Sequence, residues 1–146
     1  MKVTAKNIKN YQVQIEAGNH SFVADEPLGV GDDAGPNPYA LLLSALGSCK
    51  VMTVLMYARK KGWPLEDVEV SLETYRIHAK DCKDCESDPD AMVSMIEAEI
   101  SFGGDLTDEQ IDRLGEISTH CPVHRTLTGE IKIKTEVNKN NKKLVV

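Results

Sequence analysis

The sequence predicts an α+β fold in which a mainly antiparallel sheet packs with one long central helix, in the order βββ-α-ββ-αα-β. Three observations carry that expectation. Apolar and polar residues alternate in the opening, middle and closing segments; one apolar stretch, Tyr39 to Ala58, is too long for a strand; and residues suited to capping a helix flank that stretch. The chain of 146 residues is 41% hydrophobic and 27% charged, with 10 Gly and 6 Pro, which is the makeup of one globular domain over 1–146 and unlike that of a disordered or repetitive chain. A chain of this length buries roughly 68–70% of its unfolded surface unaided.

The elements follow in order. Tyr11, Val13 and Ile15 alternate with Gln12 and Gln14, a Gly18-Asn19 turn follows, and Phe22 and Ala24 resume the alternation, so the opening reads as a β meander. Asp25 to Asn37 collects acidic residues, glycines and prolines and reads as a connecting loop. Asn37 suits an N-cap and Pro38 the first helical position; Lys60 and Lys61 complement the C-terminal dipole, Gly62 suits the C-cap, and Pro64 stops propagation. The helix between them, about Pro38 to Lys61, spans roughly 36 Å at 1.5 Å per residue. Its sides are nearly all apolar, which predicts a largely enclosed element. Val68, Val70 and Leu72, then Ile96, Ala98, Ile100 and Phe102, alternate with polar residues as two half-buried strands, separated by the polar loop Asp81 to Pro89. Thr107 and Gln110 form a capping box for a helix whose apolar positions Ile111, Leu114, Ile117 and Cys121 share one face. Pro122 restarts the chain, Val123 to Thr128 makes one or two helical turns, and Ile131, Ile133, Thr135 and Val137 mark a last strand. The Asn- and Lys-rich tail, 138–146, is expected to fray.

Composition excludes several functions. Lys+Arg 17 against Asp+Glu 23 gives a net charge of −6 with no basic stripe, so nucleic acid is not an expected partner. Lys50 lies in the middle of the apolar stretch, where a charge costs about 2.5–3.5 kcal/mol in a membrane, so no membrane partner is expected either. The first residues, Met1 to Lys6, lack the apolar core of a secretory signal, and a cytoplasmic location is the default expectation. In that compartment four cysteines read as thiols, ligands or redox centres.

Each cysteine has a bland and a reactive reading. Cys49 sits mid-helix among Leu42, Ala45, Leu46, Met52 and Met56 and fits a small buried hydrophobe. Cys121 precedes Pro122; if a helical segment starts there, its amides and dipole, with His124 and Arg125 on the next turn, favour a thiolate. Cys82 and Cys85 have the spacing of a zinc half-site, a dithiol redox pair or plain loop thiols, and Cys121 with His124 supplies a second half-site. Asp25, Glu26, Asp32 and Asp33 read either as a hard-cation site or as a solvated acidic loop.

Three segments together resemble the OsmC/Ohr family, named for osmotic induction and organic hydroperoxide resistance: Asp32 to Tyr39, Leu41 to Cys49, and Cys121-Pro122-Val123-His124-Arg125. The match follows element order from the first strands to Val137. The resemblance implies an intertwined homodimer in which two long helices are wrapped by sheets of both chains. It also implies a thiol peroxidase without cofactor or metal: Cys49 would attack a peroxide oxygen and become a sulfenic acid, and Cys121 would resolve it as a disulfide, later opened by a dithiol reductant. Leu and Met walls favour organic hydroperoxides over hydrogen peroxide. Two departures from the family pattern stand out. Peroxidatic members carry a Glu nine or ten residues before the helix cysteine, paired with an Arg; here those positions hold Tyr39 and Ala40, and the first arginine is Arg59. Either His124 or Arg125 then substitutes for the activating cation, or the peroxidase activity is weak. The Cys82/Cys85 loop is an addition to the basic pattern, and it keeps a non-enzymatic binding protein with a zinc or redox site as the alternative.

Overall fold

The computed structural model of the chain describes residues 1–83, 85–139 and 142–145. The opening meander is present as β1 (Val3–Lys9), β2 (Gln12–Ala17) and β3 (His20–Ala24), all antiparallel in that order. Gly18 takes φ 62° in the β2–β3 turn, a left-handed value that a side chain disfavours. The acidic loop that follows is organised by one carboxylate. Asp25, 2% exposed, accepts the backbone N–H groups of Glu26, Asp32 and Ala34 at 2.8, 3.1 and 3.0 Å, and the Ala34 bond does most to hold its carboxyl below the ordinary carboxylate range. Asp32 in turn accepts from the Gln12 amide at 3.1 Å. Asp25 is thus used on the loop's own amides, and Asp32 ties the loop to the β1–β2 hairpin.

α1 (Pro38–Lys61) has the bounds its local signals dictate. Asn37 accepts the Ala40 amide at 2.8 Å, Pro38 opens the helix, and Gly62 caps it at φ 66°. Its predicted enclosure needs correction. Leu46, Lys50, Val54 and Ala58 are buried in an i, i+4 stripe with Gly47 beside it, whereas Met52 and Met56 on another face, and Leu42 one turn before Leu46, are exposed. The helix is apolar all round, but within one chain only one face is covered.

β4 (Leu65–His78) and β5 (Met92–Gly104) are longer than the alternation alone suggested and pair antiparallel from Leu65↔Gly104 to His78↔Met92. Gly47 permits their approach to α1, since a Cβ there would lie 2.8 Å from Leu72 Cδ1. α2 (Asp108–Thr119) starts at the reciprocal Thr107/Gln110 capping box. Leu114 of α2 meets Val54 and Ala58 of α1, with Trp63, Val68, Ile100 and Phe102 packed around them, and this is where the apolar core sits. α3 (Pro122–Leu127) follows directly.

The C-terminal part departs from expectation. Residues 131–135 join no strand, and Ile133 is 86% exposed. The closing strand is instead β6 (Glu136–Lys139), which pairs antiparallel with β7 (Lys142–Val145), so a hairpin replaces most of the tail expected to fray. Asn140, Asn141 and Val146 lie outside the described residues. The antiparallel sheet is also divided into three, β1-β2-β3, β4-β5 and β6-β7, among the described residues.

Candidate functional site

Three of the predicted residues, Cys49, Cys121 and His124, come together where α1 meets the start of α3. Cys49 is a free, half-buried thiol on α1. Cys121 is 0% exposed and does not end the α2 stripe as a helical residue; it is the N-cap of α3, with extended backbone at φ −64° and ψ 145°. Its Sγ accepts the backbone N–H of His124 at 3.3 Å. The Cys49 side chain is near enough to Cys121 to act on its thiol.

A residue that sequence reasoning had used only against membrane insertion contributes to the electrostatics of Cys121. Lys50 is 5% exposed, and its Nζ donates to the Ser118 carbonyl at 3.2 Å in the last turn of α2, where helix carbonyls lack intrahelical partners and carry negative partial charge. Burial pushes the Cys121 thiol above its ordinary value of 9.0, the His124 amide and the Lys50 charge pull it back, and the neighbouring Cys49 pushes it up again; the net direction is up. His124 is held below its ordinary 6.5 by burial first and then by the charges of Lys50 and His120, so it is neutral near pH 7. Arg125 is exposed. Lys50, which was not among the expected activating residues His124 and Arg125, is the buried positive charge that acts on Cys121. Tyr39 and Ala40 lie in the first turn of α1 and bring no carboxylate. The signal was present, because Lys50 is the one charge in the apolar stretch Tyr39 to Ala58 and directly follows a cysteine.

Removing that charge has a defined sign. An ammonium group favours the thiolate, so Lys50→Met should move the Cys121 titration upward and Lys50→Arg should largely restore it. The pH dependence of iodoacetamide labelling at Cys121, read by mass spectrometry, checks this; an unchanged or lowered midpoint in Lys50→Met contradicts the assignment.

A cavity of about 320 Å³ lies between Leu46 and Lys50 of α1, Ser94, Met95, Ile96 and Ala98 of β5, and His124, Leu127 and Thr128 at α3; the residues that adjoin Cys49 and Cys121 in the chain or by hydrogen bond, Lys50 and His124, line it, and the two cysteines do not. Its wall is mostly aliphatic, with one cation and one imidazole. A larger cleft, about 620 Å³, is lined by Ser71, Leu72, Glu73, Glu97, Ala98 and Glu99 and contains no thiol.

Cys82 and Cys85 are joined to each other in a disulfide. Among the described residues no group of three or more His, Cys, Asp or Glu side chains could hold a metal ion. The zinc quartet of Cys82, Cys85, Cys121 and His124 is thus not assembled, and neither is a cation site in the Asp25 loop.

A long helix bearing one thiol, a second thiol capping a short helix, and antiparallel strands packed on both define an α+β protein of the two-cysteine kind. Residues 31–136 match the family of OsmC-like proteins, and the chain belongs to that family. Solved structures agree on the fold. An OsmC-like protein of Mycoplasma pneumoniae superimposes with a TM-score of 0.69 at 19% identity, covering 88% of this chain and 86% of that one. An organic hydroperoxide resistance protein OsmC of Legionella pneumophila, also titled a predicted redox protein, gives 0.62 at 18%, covering 88% of each chain. The organic hydroperoxide resistance protein OhrB of Bacillus subtilis gives 0.60 at 17%, covering 88% and 90%. Comparison with curated proteins finds no match.

Proposed function

We propose that the chain reduces organic hydroperoxides through a sulfenate/disulfide cycle at Cys49 and Cys121. The observation that carries this reading is the proximity of two free thiols, with a buried cation and a largely aliphatic cavity next to them. Cys49 is the attacking residue, because it is the more accessible sulfur, and Cys121 resolves. The Cys49 thiolate attacks the distal peroxide oxygen; the S–O bond forms as the O–O bond breaks, the alkoxide leaves as the alcohol after taking a proton, and sulfur becomes a sulfenic acid. The Cys121 thiolate then attacks that sulfur, hydroxide leaves as water, and the disulfide forms before over-oxidation can occur. Lys50 stabilises negative charge on the sulfurs, and the aliphatic wall suits a hydroperoxide with a hydrocarbon body. Two structural neighbours carry the name of organic hydroperoxide resistance proteins. One equivalent of cumene hydroperoxide should produce a Cys49–Cys121 peptide on mapping of protein first reduced and then oxidised; free alkylation of Cys49 after peroxide, with no such peptide, contradicts the mechanism.

The protein acts as a homodimer in this reading. Met52 and Met56 leave a face of α1 uncovered, and a second copy of the helix supplies matching apolar area; stable dimers of this type bury about 2,000 Å² or more. Sedimentation at micromolar concentration is expected to give twice the 16.1 kDa chain mass, and a monomer excludes the proposal. A cytoplasmic location goes with it.

A further inference from the structure

We propose that Cys82 and Cys85 form a second redox pair that supplies the electrons regenerating the Cys49 and Cys121 thiols. The proposal rests on the hydroperoxide-reductase reading. Its starting point is that one cysteine pair of the chain is bonded while the other is free and close together.

The bonded pair is poorly placed to be a structural staple. The β4–β5 ladder is continuous to His78↔Met92, and beyond it Ala79 N–H donates to Ala91 O at 2.8 Å and Lys80 N–H to Pro89 O at 3.2 Å. The hairpin is therefore closed before either cysteine is reached. Joining two residues three apart also restrains the unfolded chain least, since the entropic gain grows with loop length. In a reducing compartment, disulfides of this kind are mostly transient and catalytic.

Access and continuity point the same way. Cys121 is fully buried, whereas Cys82 and Cys85 on the connecting loop are partly exposed, as Cys49 is. The same hairpin forms a wall of the cavity that Lys50 and His124 also line: Ser94, Met95 and Ile96 belong to it, and Ser94 is two residues from Met92, about 7 Å along the strand. The loop carrying the disulfide thus springs from the rim of the site.

The exchange balances. With the loop pair reduced, one loop thiolate attacks Cys49 sulfur in the Cys49–Cys121 bond, and Cys121 leaves as a thiolate and takes a proton. The second loop thiolate attacks the mixed disulfide, which re-forms Cys82–Cys85 and frees Cys49. Two electrons and two protons move from the loop to the site, and an external dithiol restores the loop by the same chemistry, leaving as its own disulfide.

The test follows fully reduced protein after one equivalent of cumene hydroperoxide, quenched at intervals by alkylation and mapped by mass spectrometry. In the wild type the Cys49–Cys121 bond should appear first and then decay as Cys82–Cys85 forms. In Cys82→Ser/Cys85→Ser the Cys49–Cys121 bond should form at the same rate and persist at least tenfold longer. In Cys49→Ser the loop pair should stay reduced on that timescale. A wild-type Cys49–Cys121 bond that persists beside a reduced loop overturns the relay, as does loop oxidation in Cys49→Ser as fast as in wild type. If no Cys49–Cys121 bond forms in the loop double variant, although its circular dichroism is native, the hydroperoxide reading fails and the relay falls with it.

Discussion

Cys49→Ser is expected to lower hydroperoxide turnover by about 10³-fold or more, the scale on which removing a covalent nucleophile acts, with the fold intact. Serine matches cysteine closely in size, Cys49 is only half-buried, and α1 is held by the opposite stripe of Leu46, Lys50, Val54 and Ala58. The loss should therefore fall on the chemical step and leave the thermal midpoint nearly unchanged. Cys121→Ser separates the two roles. It should retain a first turnover that consumes one hydroperoxide per site, because attack on the O–O bond needs only Cys49, and then stall with Cys49 trapped as a sulfenic acid that dimedone labels. Consumption measured by ferrous-xylenol orange assay distinguishes the cases. Steady turnover in Cys49→Ser, or a first turnover absent in Cys121→Ser, would reverse the assignment of attacking and resolving sulfurs.

Leu114→Ala should be the most destabilising aliphatic truncation, at about 2–5 kcal/mol, the range for deleting a buried leucine. Leu114 is 0% exposed and lies between α1 and the β4–β5 face, touching the cluster of Val54 and Ala58. Those neighbours belong to three separate elements, so no one of them can collapse into the space without moving its helix or sheet, and the cavity remains. Ile111, one turn earlier on α2 but 39% exposed, should lose less than half as much on truncation to alanine. Urea titration of both variants beside wild type reads the difference in midpoint at constant slope. Equal losses would mean that a further surface, such as a second subunit, buries Ile111 as deeply as Leu114.

How much of this was legible in sequence depends on how local the determinant is. The α1 bounds were legible because Asn37, Pro38, Gly62 and Pro64 act within one turn of the helix ends. The Thr107/Gln110 box opened α2 for the same reason. The β4 and β5 faces were legible from period-two alternation, although their full length was not, because Tyr75 to His78 and Met92 to Ser94 are paired by the cross-strand ladder and not by any pattern of their own. The C-terminal segment misled in the opposite way: Ile131 and Ile133 alternate well, yet 131–135 lack a partner strand and the ladder begins at Glu136.

By itself, the sequence determined where helices start and stop, which strand faces are apolar, and which cysteines were worth attention. Only tertiary structure decided which face of α1 turns inward, since a helix apolar on nearly every side carries no directional signal and its orientation follows from Gly47 fitting against Leu72 and Lys50 reaching Ser118. It likewise decided that Cys121 caps α3 beside Cys49, that Lys50 is the site's cation, and that Cys82 bonds Cys85. Each of these depends on which atoms meet after elements distant in sequence have packed, and pairwise distance across a fold is not encoded in any short window of residues.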